Sequence, residues 1–83
     1  MTIKIKDTAI QNIINGLKVK EENKKYYKGL AEDAKRDDKY AWLAEGFETK
    51  YEINAHEINA VYQVLADIST ELYEMVKNEV EAN

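Results

Sequence analysis

Residues 44–75 read AEGFETK YEINAHE INAVYQV LADISTE LYEM, and this stretch decides the fold. An apolar residue begins each group of seven, and the fourth place is apolar in every group except the second, where it is Asn54. This is the a/d pattern of a helix that packs along one side. The chain contains no proline, the residue that most strongly breaks a helix. We predict one long C-terminal helix over about 38–80, with Gly46 as the weak point for a kink. Two shorter helices over the same range are the alternative.

The first half of the chain predicts two shorter helices. Thr8 or Asp7 is a good N-cap for a helix over 8–17, where apolar residues fall at helical spacing and Gly16 indicates an end. A second helix is expected over 20–36, and residues 1–7 are expected to form an extended arm. The predicted fold is therefore all-α: a single domain over 1–83, built as a small helical bundle or helical hairpin.

The a/d face extends over about five heptads, which is more than a chain of 83 residues can readily cover. We therefore expect a homodimer, formed as a coiled coil through this face. The residues predicted for self-association are Ala44, Phe47, Tyr51, Ile58, Val61, Leu65, Ile68 and Leu72.

A second apolar or small stripe lies roughly 120° around the same helix. It consists of Trp42, Gly46, Thr49, Ile53, Ala60 and Val64. Three elements could pack over this stripe: a second copy of the chain, a different protein, or the chain's own short helices. Trp42 is the only tryptophan, and tryptophan is enriched at interface hot spots, so we predict a partner-binding site of Trp42, Lys39, Thr49 and Ile53. The alternative is that Tyr26 or Tyr27 covers Trp42 within the chain.

The residue types needed for most catalysis are scarce. There is no cysteine, His56 is the only histidine and Ser69 the only serine, and the three glycines are isolated. A hydrolase triad, a phosphate-binding loop and a thiolate metal site are therefore unsupported. Glu48, Glu52 and His56 share a helix face, but a metal site would need further ligands from elsewhere. We expect no enzyme activity, no cofactor and no metal.

Charge is uneven along the chain: residues 1–40 carry a net charge of +3 and residues 41–83 a net charge of −7. Two layers of opposite charge can complement each other within one molecule. The function we expect is a small protein–protein interaction module that binds through helix faces, for example a phage or mobile-element inhibitor of a host protein. No stretch is apolar enough to span a membrane, and the expected location is the cytoplasm.

Nucleic-acid binding is the alternative function. Lys20, Lys24 and Lys28 form an i,i+4 ladder that could follow a phosphate backbone, although acidic residues are interleaved with it. The reverse arrangement is a nucleic-acid mimic, in which carboxylates imitate the phosphates. The acidic residues concerned are Glu45, Glu48, Glu52, Asp67, Glu71 and Glu74.

Overall fold

The computed structural model describes residues 8–82. It contains helix α1 over Thr8–Lys35, a 3₁₀ turn over Ala41–Leu43, helix α2 over Ala44–Ile68 and helix α3 over Thr70–Glu81. Residues 8–82 include no β-strand. The all-α prediction is therefore confirmed. The extended arm predicted for residues 1–7 lies outside the described residues.

The three helices share one core near the start of α1 and the end of α2. Each helix brings two buried apolar residues to it, at spacings of three, four or seven that place both on one helix face. These residues are Ile14 and Leu17 from α1, Ile58 and Leu65 from α2, and Val76 and Val80 from α3. Burial of such side chains contributes roughly 1.5–3 kcal/mol each, so this cluster dominates the packing energy.

Beyond this core, α1 and α2 continue as an antiparallel pair without α3. Small residues fill this part of the interface: Ala31, Ala34 and Ala44 are all buried. Ion pairs from Lys20 to Glu57 and from Lys35 to Glu48 join the two helices along their length. The molecule is consequently elongated, with extents of 55 × 23 × 16 Å.

The prediction of two separate N-terminal helices is wrong, because α1 runs without interruption through Gly16 for 28 residues. A glycine inside a helix costs about 1 kcal/mol relative to alanine. Ile14 and Leu17 on either side of it are both buried in the core, and their burial outweighs that cost. Gly16 itself is exposed, and no glycine among residues 8–82 has a positive φ of the kind that ends helices.

The prediction of one C-terminal helix over 38–80 is also wrong, because the chain breaks at Ser69 and α2 begins only at Ala44. The structure has the alternative, two shorter helices. Ser69 has extended backbone angles of φ −166° and ψ 124°. Its hydroxyl oxygen accepts the Leu72 N–H at 3.2 Å, which is N-cap geometry for α3. The break turns α3 back toward α1, so that Val76 and Val80 reach the core. The predicted kink is absent at Gly46, which lies in the first turn of α2.

Candidate protein-binding surface

The side of α2 that faces away from the core carries an exposed apolar stripe. We define the outer stripe as Gly46, Ile53, Ala60, Val64 and Ile68, which are all exposed. The exposed fraction is 43% for Ile53, 57% for Val64 and 70% for Ile68. Their spacings of seven and four residues keep them on one face of the helix. This face extends along almost the whole of α2.

Five other exposed residues of α2 provide a contrast within the same helix. A polar strip lies beside the outer stripe and has the composition expected of a surface in water. Its members are Glu45, Glu52, His56, Asn59 and Gln63, all exposed. Since one exposed strip is polar and its neighbour is largely apolar, simple solvation does not explain the composition of the outer stripe.

Trp42 lies in the 3₁₀ turn, four residues before Gly46, and is 75% exposed. The alternative in which Tyr26 or Tyr27 covers Trp42 is wrong. Those two rings pack against each other, with centroids 5.4 Å apart and an interplanar angle of 64°, and Tyr26 remains exposed. The turn between α1 and α2 therefore presents the largest side chain of the protein to solvent.

The structure places all four residues of the predicted partner site at the surface: Trp42, Lys39, Thr49 and Ile53. The Lys39 ammonium lies 5.5 Å from the centroid of the Tyr40 ring. The Thr49 hydroxyl donates a 2.9 Å hydrogen bond to the Glu45 carbonyl. Because its donor is satisfied inside the helix, Thr49 can approach an apolar partner without an unpaired hydroxyl proton.

The residues predicted for self-association lie mostly on the opposite side of α2. Ala44, Ile58 and Leu65 are buried inside the single chain. Phe47, Tyr51, Val61 and Leu72 are half-buried, and Ile68 alone among the eight is exposed. Helices α1 and α3 therefore already cover most of the predicted dimer face.

Sequence reasoning grouped Val64 with Trp42 and Ile53 in the second stripe, but it did not include Ile68. Val64 is exposed because no further helix among residues 8–82 packs on that side. Ile68 fits the a/d pattern, but it lies directly before the break at Ser69. Serine is a favoured N-cap residue and Glu71 puts an acidic side chain in the first turn, so this helix start could have been predicted from the sequence.

The lysines of α1 lie beside acidic residues. Lys20 pairs with Glu57 of α2, and Lys24 is 3.5 Å from a Glu21 carboxylate oxygen and 5.9 Å from the centroid of the Tyr51 ring. Lys20 and Lys24 are only half exposed, whereas Lys28 is exposed. Two members of the ladder therefore contact groups of their own molecule, as expected of two layers with opposite charge.

An open cleft of about 630 Å³ is lined by residues of α1, α2 and α3 at the end of the molecule that holds the core. Partial burial raises the pKa of the Tyr62 hydroxyl, and the carboxylates of Glu21 and Glu81 raise it further. A hydrogen bond with Tyr73 raises the pKa of the Lys77 ammonium. Both shifts move titration further from neutral pH, so neither group is activated as a base or nucleophile. The rings of Tyr62 and Tyr73 pack edge to face, 5.5 Å apart, and hold α3 against α2.

Within residues 8–82, no three histidine, cysteine or acidic side chains come together as a metal site. Glu48, considered above with Glu52 and His56, pairs instead with Lys35. Over the same residues, no helix is both long and apolar enough to cross a membrane.

Comparisons with protein-family models, with curated proteins and with solved structures found no match for this chain.

Proposed function

We propose that this protein is a non-catalytic protein–protein interaction module that binds through the outer stripe of α2 and through Trp42. The observation that carries the proposal is the exposure of Ile53, Val64 and Ile68 along one face, with Trp42 preceding that face in the chain. Exposed apolar residues that recur along one helix face are typical of interaction sites in folded proteins. The charged residue on this face, Glu57, is paired with Lys20 of α1. Tryptophan is one of the residue types enriched among the anchors of such sites.

The outer stripe suits a partner that offers a helix or an apolar groove. Residues at spacings of four and seven present a nearly straight row, which packs against another helix or lies in a groove. The side chains of α2 are carried on a regular helix, so little ordering entropy opposes binding. Lys39 and Lys50 at the margins add positive charge that can assist encounter with acidic groups.

The alternative functions have less support. A phosphate backbone would have to compete with Glu57 and Glu21 for Lys20 and Lys24, because these lysines are already beside carboxylates. Of the six carboxylates considered for a nucleic-acid mimic, Glu48 pairs with Lys35 of α1 and would have to leave that lysine to bind a partner. Retention on heparin at low salt, lost as salt rises, would favour the nucleic-acid alternative.

The expected homodimer, the cytoplasmic location and the role as a phage or mobile-element inhibitor of a host protein belong to this proposal. The inhibitor role would use the outer stripe and Trp42, because an inhibitor of this size must block its target by contact. An apolar stripe with a tryptophan supplies the contact area, and the charged margins supply selectivity.

A site-specific photo-crosslinker tests the proposal. A benzophenone amino acid is placed at position 64 in the outer stripe, or at position 63 in the polar strip as the matched control. After irradiation in the producing cells, we expect protein adducts from position 64 and far fewer from position 63. The two residues are neighbours in sequence and both are exposed, so only the face differs. Equal adduct yields, or none at either position, would contradict the proposal.

A further inference from the structure

Helices α2 and α3 are separated by a single residue, Ser69. Its N–H donates to the Leu65 carbonyl at 2.9 Å, and its own carbonyl accepts the Tyr73 N–H at 3.0 Å. Both bonds connect residues four apart, as in an α-helix. Residues 66–72 contain neither proline nor glycine. Rotation about the two backbone angles of Ser69, which are φ −166° and ψ 124°, would therefore join α2 and α3 into one helix.

The faces that α2 and α3 turn toward each other would be continuous in that helix. The open cleft at this end of the molecule is lined, among others, by Ile58, Tyr62 and Ala66 of α2 and by Tyr73 and Lys77 of α3. Successive members of this series are four or seven positions apart. They would therefore share one face of a single helix.

The core residues follow the same rule. Val76 and Val80 lie 11 and 15 residues after Leu65, which is close to three and four whole turns of a helix. A continuous helix would therefore carry the packing contacts of both α2 and α3 on one side. Two such helices can pack antiparallel about a twofold axis, because the α3 part of each then meets the α2 part of the other.

The contacts between α2 and α3 are also at the level that such an axis needs. The rings of Tyr62 and Tyr73 pack with their centroids 5.5 Å apart, and the midpoint between these positions falls between residues 67 and 68, next to the break. With the twofold axis at this level, Tyr62 faces Tyr73 of the partner subunit, and the axis repeats the contact. The register of the single chain is thus kept.

We propose that this protein also forms a domain-swapped dimer. In this dimer α2 and α3 are joined into one helix, and α3 of each chain packs between α1 and α2 of the other chain. The core contacts of the single chain are preserved, with the partner's Val76 and the partner's Val80 in place of the chain's own. The inference goes beyond the proposed function, because Trp42 and Ile53 lie outside the exchanged contacts.

The balance between the two forms depends on the hinge, on new contacts at the axis and on concentration. Each continuous helix gains backbone hydrogen bonds that the end of α2 and the start of α3 lack, and it loses the Ser69 cap. Ala66, which is exposed in the single chain, faces Ser69 of the partner subunit, and both residues are small enough for close approach of the helices. Because association costs the free motion of one chain, we expect dimers only at high micromolar concentration.

Refolding at high concentration tests whether the dimer exists. Dilution from urea lets α3 find either groove, because the chain starts open. Size-exclusion chromatography with light scattering should detect a dimer. Small-angle X-ray scattering should give it a length of at least about 75 Å, because two α2 helices of 25 residues extend from the axis in opposite directions. The single chain is 55 Å long. A wild-type protein that stays monomeric at high micromolar concentration, or a dimer no longer than the single chain, would overturn the swap.

Isotope-filtered nuclear Overhauser spectra identify the exchanged contact. Labelled and unlabelled chains are refolded together, and we expect cross-peaks between Tyr62 and Tyr73 of the partner subunit. Within one continuous helix these two positions are about 16 Å apart, so the contact can form only between chains. A dimer whose cross-peaks between chains involve Ile53 and Val64 instead would contradict the swap and indicate self-association through the outer stripe.

Hinge variants test the cause. Ser69→Ala removes the cap of the single chain and favours a continuous helix, so it should lower the dissociation constant of the dimer about tenfold. Ser69→Asp is the matched control, because it keeps an acceptor at the N-cap and should dimerise no more than the wild type. Circular dichroism checks that both variants stay folded. An alanine variant that dimerises no more than the aspartate variant would show that the hinge does not control dimerisation. The crosslinker at position 64 tests the outer stripe independently, so the two proposals can fail separately.

Discussion

The inner and outer faces of α2 have similar apolar residues but opposite surroundings. Leu65 on the inner face is 4% exposed, whereas its sequence neighbour Val64 on the outer face is 57% exposed. Both α1 and α3 pack on the inner side, and no third element among residues 8–82 covers the outer side. The contrast shows that apolar periodicity identifies the helix faces that can be buried. Which of these faces stays exposed depends on how many other helices the chain has to pack against them.

The largest expected difference between the two faces is in folding stability. Leu65→Ala should cost about 2–5 kcal/mol of unfolding free energy, because it removes a buried side chain and leaves a cavity. Val64→Ala, one residue away, should change it by less than about 0.5 kcal/mol. Urea unfolding at low micromolar protein concentration measures both. Similar losses in the two variants would mean that the outer stripe is covered within the chain.

The sequence predicted the all-α fold and the apolar helix positions better than it predicted which helices pack over those positions. Ile58 and Leu65 are core residues as their a positions indicate, but α1 and α3 cover them where a second copy was expected. The error arose at the two helix boundaries. Gly16 has the propensity to end a helix and Ser69 only a moderate one, yet the chain continues at Gly16 and breaks at Ser69. Propensities are worth about 1 kcal/mol, and the burial of Leu17, Val76 and Val80 exceeds them.

A smaller effect is expected at the cap that lets α3 cover the inner face. Ser69→Ala removes the hydroxyl that accepts the Leu72 N–H, which should cost about 1 kcal/mol. Ser69→Asp keeps an acceptor at the N-cap and should retain most of the stability. Hydrogen exchange should show faster opening of α3 in the alanine variant, while the outer stripe is unaffected. If α3 amides exchange at unchanged rates, the cap does not hold α3 on the inner face.

The smallest expected effect on stability is for Trp42, although it is the largest side chain of the protein. Trp42→Ala should change the unfolding free energy by no more than about 0.5 kcal/mol, because a side chain that is 75% exposed gains little from folding. A covered tryptophan would instead cost about 3–5 kcal/mol on truncation. The emission of the wild-type monomer provides a second reading, since Trp42 is the only tryptophan and should emit as hydrated indole does. A blue-shifted emission from a proven monomer, together with a large loss of stability in Trp42→Ala, would mean that Trp42 is buried within the chain, as the residues of the inner face are. If Trp42 emits as hydrated indole and Trp42→Ala leaves the melting temperature unchanged, Trp42 does not stabilise the fold. Its apolar area is then available to contribute binding energy in contact with a partner.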